Sequence, residues 1–480
     1  MTMKNQAYSA VRWTTAVTVG RVILQTLQLI VLARLISPQD LGLMAMLLTV
    51  TAFIQLFADL GVSNSIIHAR EISREVLSTL YWLNVLVGAL LSGAIWAASP
   101  WISGFYGDPG LAEPLAIASL SFLLLALGQQ IKVLAEKRLA FRPVAIVEIA
   151  AALASTAVTV VAAYNGFGVY SLVAGVLVLA GGNSLLYWLF ARDGWWPGLR
   201  LSFSQAKPHL KSGLYLLGTS LANTATVQAD VILVGRLLGS TALGFYTVPR
   251  ELCLKVMFAT NPIVTRVGTP LIAQAQGDPG LLRRVYLSTI RMTSSINFPI
   301  YGAIATFRHE VVEVVFGPAW SASADLLGLM AVWGMFRALG NPVGSLLYGT
   351  GRSRLALAQS LTVTVLIIPT VLLGSLWGPA GVACALTLFY IGFTFGVWWF
   401  VVKPVTGAGI WAYTEQWATP LLVTLLACVI ALASVHTLSA TLPRLAVGLA
   451  IGATAYLGFS WLINRKWCLA MWGLVGLRQA

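Results

Sequence analysis

Fourteen stretches of this chain are candidates for helices that cross a membrane. A helix needs about 20 apolar residues to span the hydrocarbon core of a bilayer, and runs of that length follow one another with short connections. The predicted spans are 12–34, 40–66, 76–99, 112–135, 143–164, 168–191, 211–238, 241–274, 284–306, 321–348, 354–377, 380–402, 416–437 and 443–464. The sequence therefore predicts an all-α integral membrane protein with about 14 transmembrane helices.

The composition favours the same class of protein. Hydrophobic residues make up 58% of the chain and charged residues 10%, with a mean hydropathy of +0.83. Soluble domains carry about 25% charged residues, so most of this surface must face lipid. A net charge of +14 would suggest nucleic acid as a partner of a soluble protein. Basic cytoplasmic loops explain it better here, and we expect membrane lipids and no nucleic acid as partners.

The basic residues indicate how the chain is oriented. If the N terminus lies inside, the basic loop residues fall on the cytoplasmic side at every turn, from Lys4 to Lys466. Only four basic residues then lie at outside ends: Arg34, Arg236, Arg308 and Arg444. This asymmetry predicts that both termini are cytoplasmic. The first residues lack the pattern of a cleaved signal peptide, so we expect the first apolar run to remain as a span.

An internal repeat divides the predicted spans into two lobes. RLISPQDLGL at 34–43 and RLLGSTALGF at 236–245 align at an offset of 202, which pairs span one with span seven. We therefore predict an N-lobe, a cytoplasmic inter-lobe loop, a C-lobe, and an appendix with spans 13 and 14 and a cytoplasmic C terminus, at 1–191, 192–210, 211–403 and 404–480. Six spans bring both lobes into the membrane in the same direction, as in transporters with parallel repeats.

Spans one and seven carry matching polar stripes. Thr14, Thr18, Arg21, Gln25 and Gln28 are spaced by four and three residues, which places them on one helix face. Span seven repeats the pattern with a second set: Thr219, Asn223, Thr226 and Asp230. Two facing stripes would line a wet cleft. Alternatively, each stripe forms hydrogen bonds with other helices of its own lobe.

Three arginines inside spans are the main candidates for cavity cations. They are Arg21, Arg250 and Arg337, with Lys255 as a fourth candidate. Glu251 and Lys255 are four residues apart and can pair, whereas Arg250 has no such local partner. Charges within a bilayer are costly and mark functional sites or paired groups. A cationic cavity attracts an anionic ligand, and the guanidinium fork suits phosphate.

Acidic residues are fewer in the spans. Asp230 lies on the second polar stripe, where it is a candidate to bind a coupling proton or sodium ion, or else neutralises a nearby arginine. Asp59 and Glu148 lie close to the predicted inner interface. We expect no other cofactor and no metal site.

Motifs of soluble enzymes are missing from the sequence. No lysine directly follows a glycine, so no P-loop is present. HEVVE at 309–313 differs from the zinc motif HExxH and is predicted to lie in a loop, with Glu310 and Glu313 as solvated charges. The loops are too short for the extramembrane domain expected of a membrane-bound glycosyltransferase or polymerase.

Several segments resemble polysaccharide flippases of the Wzx type. The resemblance runs in order from about residue 10 to 400 and rests on LARLISPQDLGLMAM, FADLGVSNSIIHAR, GFGVYSLVAG, ADVILVGRLLGSTALGFYTVPREL, VVFGPAWSASADLL and LLYGTGRSRLAL. It is closest in kind to the branch that exports colanic acid, succinoglycan and teichuronic acid units, within the multidrug/oligosaccharidyl-lipid/polysaccharide exporter superfamily. It implies two six-helix lobes that open alternately and a location in the bacterial inner membrane.

The resemblance also implies a cargo and partners. The cargo would be an undecaprenyl-pyrophosphate-linked oligosaccharide, moved from the cytoplasmic to the outer leaflet, and a polysaccharide polymerase and co-polymerase are candidate partners. In this hypothesis Arg21, Arg250 and Arg337 hold the pyrophosphate, and Asn223, Gln25 and Gln28 contact sugar or water. The alternatives are a cation-coupled multidrug antiporter, which a cationic cavity disfavours, and an integral-membrane enzyme of polysaccharide assembly.

Overall fold

A computed structural model describes residues 20–58, 66, 72–198, 202–465 and 467–469, without the side chains of 203–219, 222, 262–263 and 266–267. Within these residues every regular element is a helix and there is no strand. The predicted all-α membrane fold is therefore confirmed. Contacts divide the chain into two compact units, Met1–Gly244 and Phe245–Ala480.

The first unit consists mainly of membrane-length helices. The helices are α1 (20–35), α2 (Pro38–Ala58), α3 (Arg74–Tyr106), α4 (Ala112–Ala118), α5 (Leu120–Lys137), α6 (Phe141–Tyr164) and α7 (Val169–Phe190), with a 3₁₀ turn at Pro109–Leu111. The helix that follows, α8 (Phe203–Gln274), is interrupted at Gly239, where φ is 83° and ψ is 175°. A glycine tolerates this positive φ because it has no Cβ. The break lies at the predicted turn between spans seven and eight.

The second unit contains the remaining helices. They are α9 (Pro279–Thr306), α10 (Arg308–Val315), α11 (Ala324–Ala338), α12 (Asn341–Gly349), α13 (Ser353–Ser375), α14 (Gly378–Val397), α15 (Ile410–Ser434) and α16 (Thr441–Ile463). A 3₁₀ segment precedes α11 at Pro318–Ser323. After α14 the chain passes through a π turn at Trp398–Val402 into a helical turn at Lys403–Thr406.

In the described part of the chain, 11 helices are long and apolar enough to span a membrane. The two arms of α8 count together in this set, as Asn223–Asn261. The predicted first span begins outside the described residues. Helix α9 is absent from the set because buried polar residues such as Thr293, Ser294 and Asn297 lower its hydropathy. The count of 14 stays a prediction, and so do the lobe boundaries.

The two repeated turns pack directly against each other. At the offset of 202, Pro38 corresponds to Ser240 and Gly42 to Gly244. A Cβ added to Gly42 would overlap the carbonyl oxygen of Ser240, and one added to Gly244 would overlap that of Pro38. This is the reciprocal pattern of a two-fold interface, formed here by two parts of one chain. The repeat therefore places its turns in a contact that only glycine permits.

A hydrogen bond ties the second of these turns to the end of α3. Ser240 Oγ donates to Asp108 Oδ2 at 2.5 Å, and the other oxygen, Oδ1, accepts from the backbone N–H of Gly110 at 3.1 Å. The guanidinium of Arg236 lies 5.6 Å from the ring centre of Phe105. Arg236, predicted to anchor a helix end at the outer interface, thus stacks on an aromatic ring there.

The last two helices are built into the second unit. Tyr456 on α16 donates its hydroxyl hydrogen to the carbonyl of Ser295 at 2.7 Å, and Asn464 donates to the Ser295 hydroxyl at 2.8 Å. Both contacts reach α9, so the predicted appendix forms part of the packed core of this unit.

The predicted inter-lobe loop is fastened to α3. Gly198 N–H donates to Ser78 Oγ at 2.8 Å, its carbonyl accepts from Trp82 Nε1 at 3.1 Å, and Ser202 N–H donates to Thr79 Oγ1 at 2.7 Å. Helix α8 begins at Phe203, within the range predicted as loop. Gly198 and Ser202 are therefore held by specific hydrogen bonds to α3.

The HEVVE segment was wrongly predicted as a solvated loop. It forms most of α10, and Glu310 Oε1 lies 2.8 Å from Arg444 Nε near the start of α16. Glu313 accepts a hydrogen bond from Thr441 at 3.1 Å. These acidic groups join two helices.

Candidate functional site

Arg21 belongs to a charged cluster formed by four helices of the first unit. Its Nη2 lies 3.8 Å from Glu148 Oε2, where α1 meets α6. On the other carboxylate oxygen, Oε1, Lys132 Nζ of α5 lies at 2.7 Å and the Tyr187 hydroxyl of α7 donates at 3.2 Å. The Glu148 side chain is 10% exposed and that of Arg21 is 42% exposed. A cation that the sequence predicted is thus paired with a largely buried anion.

Of the other described polar residues in the stripe on α1, one contacts a neighbouring helix and one is exposed. Gln28 accepts a hydrogen bond from Thr156 of α6 at 3.4 Å, while Gln25 is exposed. Two members of the stripe, Arg21 and Gln28, therefore contact α6 in their own unit. Such contacts favour the second hypothesis for the stripe, in which it forms polar contacts with other helices of its own lobe. Thr14 and Thr18 lie outside the described residues.

The second stripe also has mixed surroundings. Asn223 is exposed and Asp230 is 5% exposed, although both lie on the first arm of α8. A carboxylate this deeply buried needs polar partners. Asp230 remains a candidate for ion coupling, and the alternative that it neutralises a cation also remains.

Arg250 is almost completely buried, at 2% exposure. Its Nη1 lies 3.3 Å from Oε1 of the adjacent Glu251, whose side chain is 45% exposed. No partner was expected for Arg250 at a spacing of four residues, and the carboxylate that it meets belongs to the adjacent residue. Lys255 is half-buried one turn further along.

Arg337 lies among aromatic rings in the second unit. Its Nη1 donates to the Tyr390 hydroxyl at 3.0 Å, and its guanidinium carbon lies 4.9 Å from the ring centre of Trp333. Cation–π contacts stabilise a half-buried guanidinium while its other N–H groups keep their donor capacity. A cavity of about 30 Å³ adjoins Arg337, Tyr390 and Tyr413, which is room for about one or two water molecules.

The remaining arginines near the predicted inner side have varied surroundings. Arg291 pairs with Glu415 of α15 at 3.2 Å. The side chain of Arg266 and all of Asp59 lie outside the description. The structure thus groups Arg21 with α6 residues in the first unit, and Arg250 and Arg337 fall in the second. That the three share one cavity stays a prediction.

Sequence reasoning missed Lys132 and underrated Glu148. Lys132 lies inside the predicted span 112–135, and a charge inside a span is itself a signal of function or pairing. Its contact with Glu148 could not be read from spacing, because the two residues belong to different helices.

Comparisons with known proteins agree on one family. The sequence profile of the family described as polysaccharide biosynthesis protein matches residues 31–325. The lipopolysaccharide biosynthesis protein WzxC of Escherichia coli is 31% identical over 414 residues, which cover 86% of this chain and 84% of that protein. The teichuronic acid biosynthesis protein TuaB of Bacillus subtilis is 29% identical, and the match covers 94% of each chain.

One solved structure has a closely similar fold. The lipid II flippase MurJ in an inward closed conformation aligns with a TM-score of 0.78, covering 95% of this chain and 99% of that chain. Sequence identity in this alignment is 13%, so the likeness concerns the fold.

Proposed function

The chain belongs to the polysaccharide biosynthesis protein family, and we propose that it is an alternating-access flippase for a polyprenyl-pyrophosphate-linked oligosaccharide. The cargo would be the undecaprenyl-linked repeat unit of an exopolysaccharide, moved from the cytoplasmic to the outer leaflet of the bacterial inner membrane. Both termini would be cytoplasmic. A polysaccharide polymerase and co-polymerase would act on the product after transfer.

The observation that carries this proposal is the presence of partly buried arginines within membrane-spanning helices. Arg337 lies in the span Pro318–Gly349, half-buried between the rings of Trp333 and Tyr390. A guanidinium in such surroundings binds phosphate oxygens through several N–H groups, and a low local dielectric strengthens the attraction. Arg21 would supply a second cation of this kind, with exposed Gln25 and Asn223 available for sugar or water.

The size of the cavity beside Arg337 supports a mechanism that changes shape. At about 30 Å³ it holds about one or two waters and no pyrophosphate. A pyrophosphate needs more room than this, and a change between two states that separates the surrounding helices would give it. Asp230 is retained as a candidate for a coupling proton or sodium ion.

An apolar groove in the second unit suits the isoprenoid part of the cargo. A cavity of about 540 Å³ lies between α9, α15 and α16, lined mainly by apolar groups such as Ile300, Ala303, Ala427, Gly452 and Leu457. A polyprenyl chain gains free energy from such a surface through close packing, and it needs no hydrogen-bond partners. We assign the groove to the carrier's tail.

Transfer across a reconstituted membrane tests the proposal directly. Purified protein is placed in liposomes whose inner leaflet contains the lipid-linked oligosaccharide, and a membrane-impermeant glycosidase added outside reports the glycan that has crossed. We expect wild type to expose glycan faster than empty liposomes, and Arg337→Ala to be slower than the matched control Arg354→Ala, whose arginine is exposed at the start of α13.

Equal rates with and without wild-type protein would refute the flippase. Mass spectrometry of the recovered lipid distinguishes the enzyme alternative, because a flippase leaves the molecule chemically unchanged. Growth of a drug-hypersensitive strain that expresses the protein distinguishes the multidrug antiporter, for which the cationic groups give no support.

A further inference from the structure

Glu148, to which the proposed function gives no role, is the centre of a charge cluster that includes Arg21. Among the described residues, the charged and titratable groups around it are Arg21 of α1, Lys132 and Glu136 of α5, and Tyr187 of α7. Glu136 Oε1 lies 3.9 Å from Lys132 Nζ. The cluster therefore balances two cations against two carboxylates, and one of these carboxylates, Glu148, is largely buried.

The contacts of the Glu148 carboxylate are unequal. Oε1 is held within hydrogen-bonding distance by Lys132 Nζ at 2.7 Å and by the Tyr187 hydroxyl at 3.2 Å. Oε2 has Arg21 Nη2 at 3.8 Å, which is too long for a hydrogen bond. Arg21 is also the more exposed cation, with 42% of its side chain accessible against 29% for Lys132. The loosest contact thus involves the group that a ligand reaches most easily.

A buried carboxylate depends on its cations to remain ionised. If both cations turn to another anion, a buried carboxylate left with a single hydroxyl donor is strongly disfavoured and takes up a proton instead. A pyrophosphate is such a competing anion, because it accepts several charge-assisted hydrogen bonds from guanidinium and ammonium groups. In the structure, the Glu148 carboxylate is the anion next to Lys132 and Arg21, where a pyrophosphate would bind instead.

From this geometry we infer that Glu148 is a proton-coupling carboxylate of the transporter, and that Lys132 joins Arg21 in holding the substrate's pyrophosphate. In the empty site Glu148 is ionised and neutralises the two cations. When the pyrophosphate takes the cations, Glu148 takes one proton from the solution on the side to which the site is open. When the substrate leaves, the cations return and the proton is released.

This inference rests on the proposed function for the identity of the ligand, and it makes a distinct thermodynamic claim. Binding of the pyrophosphate and of one proton favour each other, and linkage makes that coupling reciprocal. The affinity for pyrophosphate should therefore fall with rising pH, by up to about tenfold per pH unit, over the range in which one proton is taken up.

Calorimetry on the full-length protein in nanodiscs measures the proton directly. The probe is a dimethyl pyrophosphate diester, which resembles the substrate headgroup and does not itself titrate near neutral pH. Titrations in two buffers with different ionisation enthalpies give the number of protons taken up per ligand bound. We expect about one proton for wild type and none for Glu148→Gln. The affinity of this variant for the diester should not depend on pH, and at alkaline pH it should exceed that of wild type, because the competing carboxylate is gone.

Two further variants separate this role from a structural one. Glu136→Gln removes a carboxylate that contacts Lys132 alone in the cluster, so proton uptake should persist. Lys132→Gln should weaken binding and lower the uptake, because one of the two cations that Glu148 and the pyrophosphate share is gone while Arg21 remains. This variant keeps the inference testable even where Glu148→Gln fails to fold.

Three results would overturn the inference: wild type that binds the diester without proton uptake, Glu148→Gln with unchanged uptake, or Glu136→Gln alone losing it. These outcomes are separate from those of the liposome assay. A protein that fails to move glycan but couples diester binding to a proton at Glu148 would refute the flippase and keep the site. Normal glycan transfer without proton coupling would support the flippase and refute the role of Glu148.

Discussion

Replacing either glycine of the paired turns by alanine should destabilise the first unit. A Cβ on Gly42 would stand 2.6 Å from the carbonyl carbon of Ser240, and one on Gly244 would stand 2.7 Å from that of Pro38, besides overlapping the carbonyl oxygens. Ordinary contacts between carbon atoms are about 3.5–4.0 Å, so the turns must part by roughly 0.8 Å or more. Forcing extra groups into packed contacts of this kind costs about 1–3 kcal/mol.

Thermal unfolding followed by tryptophan fluorescence measures the effect. For a unit of 244 residues, each kcal/mol lowers the midpoint by roughly 2–4 °C, so each alanine variant should lose roughly 2–12 °C. The double variant should lose less than the sum of the two, because the first alanine already separates the turns that the second would clash with. The control is Gly93→Ala on α3, where an added Cβ meets nothing within 4 Å.

Strictly additive losses, or losses no larger than that of Gly93→Ala, would show that the turns are not packed reciprocally. In the proposed alternating cycle the same strain favours any state in which these turns are apart. A cost of about 1–3 kcal/mol corresponds to a shift of about 5–150-fold in that equilibrium.

Three further predictions follow from individual contacts. Ala453→Trp should fill the apolar groove and slow glycan transfer in liposomes. The control Thr454→Trp lies on the same helix but outside the groove lining, and it should transfer glycan at the wild-type rate. Equal slowing by the two variants would contradict the assignment of the groove to the carrier's tail. Arg337→Lys should transfer more slowly than Arg354→Lys in the same assay, because lysine loses the planar fork and its stacking on rings. Ser78→Ala should remove the acceptor of the Gly198 N–H. Because Gly198 is exposed, we expect a cost of about 0.5–1.5 kcal/mol, and limited proteolysis around Gly198 should become faster than in wild type.

Much of the fold could be predicted because lipid restricts what a chain can do. A backbone in a bilayer must satisfy its own hydrogen bonds, so long apolar runs become helices whatever their detailed order. The break at Gly239 was also expected, because this glycine lies in RLLGSTALGF between two long apolar runs. The prediction of a loop for the HEVVE segment was wrong because this segment lies outside the spans, where composition does not decide between loop and helix. There the pairing of Glu310 with Arg444 contributes to the formation of a helix.

The candidate site was predicted only in part. Charges inside spans drew attention to Arg21, Arg250 and Arg337, since any such charge needs a reason to be there. Their partners were not foreseen. Glu251 beside Arg250 was expected to pair along the helix with Lys255, and the side-chain direction that brings it to Arg250 is set by packing, which periodicity does not describe.

The sequence by itself determined the class of protein, the positions of most helices and the existence of a repeat, because each depends on properties that are local or periodic in the chain. Only the tertiary structure decided which charges meet. Lys132, Glu148 and Tyr187 lie on three different helices, and their contact depends on how those helices rotate and pack against one another. The repeat gave the equivalence of Gly42 and Gly244. Folding decided that their turns touch, because only packing in three dimensions brings segments about 200 residues apart into a contact too close for any side chain.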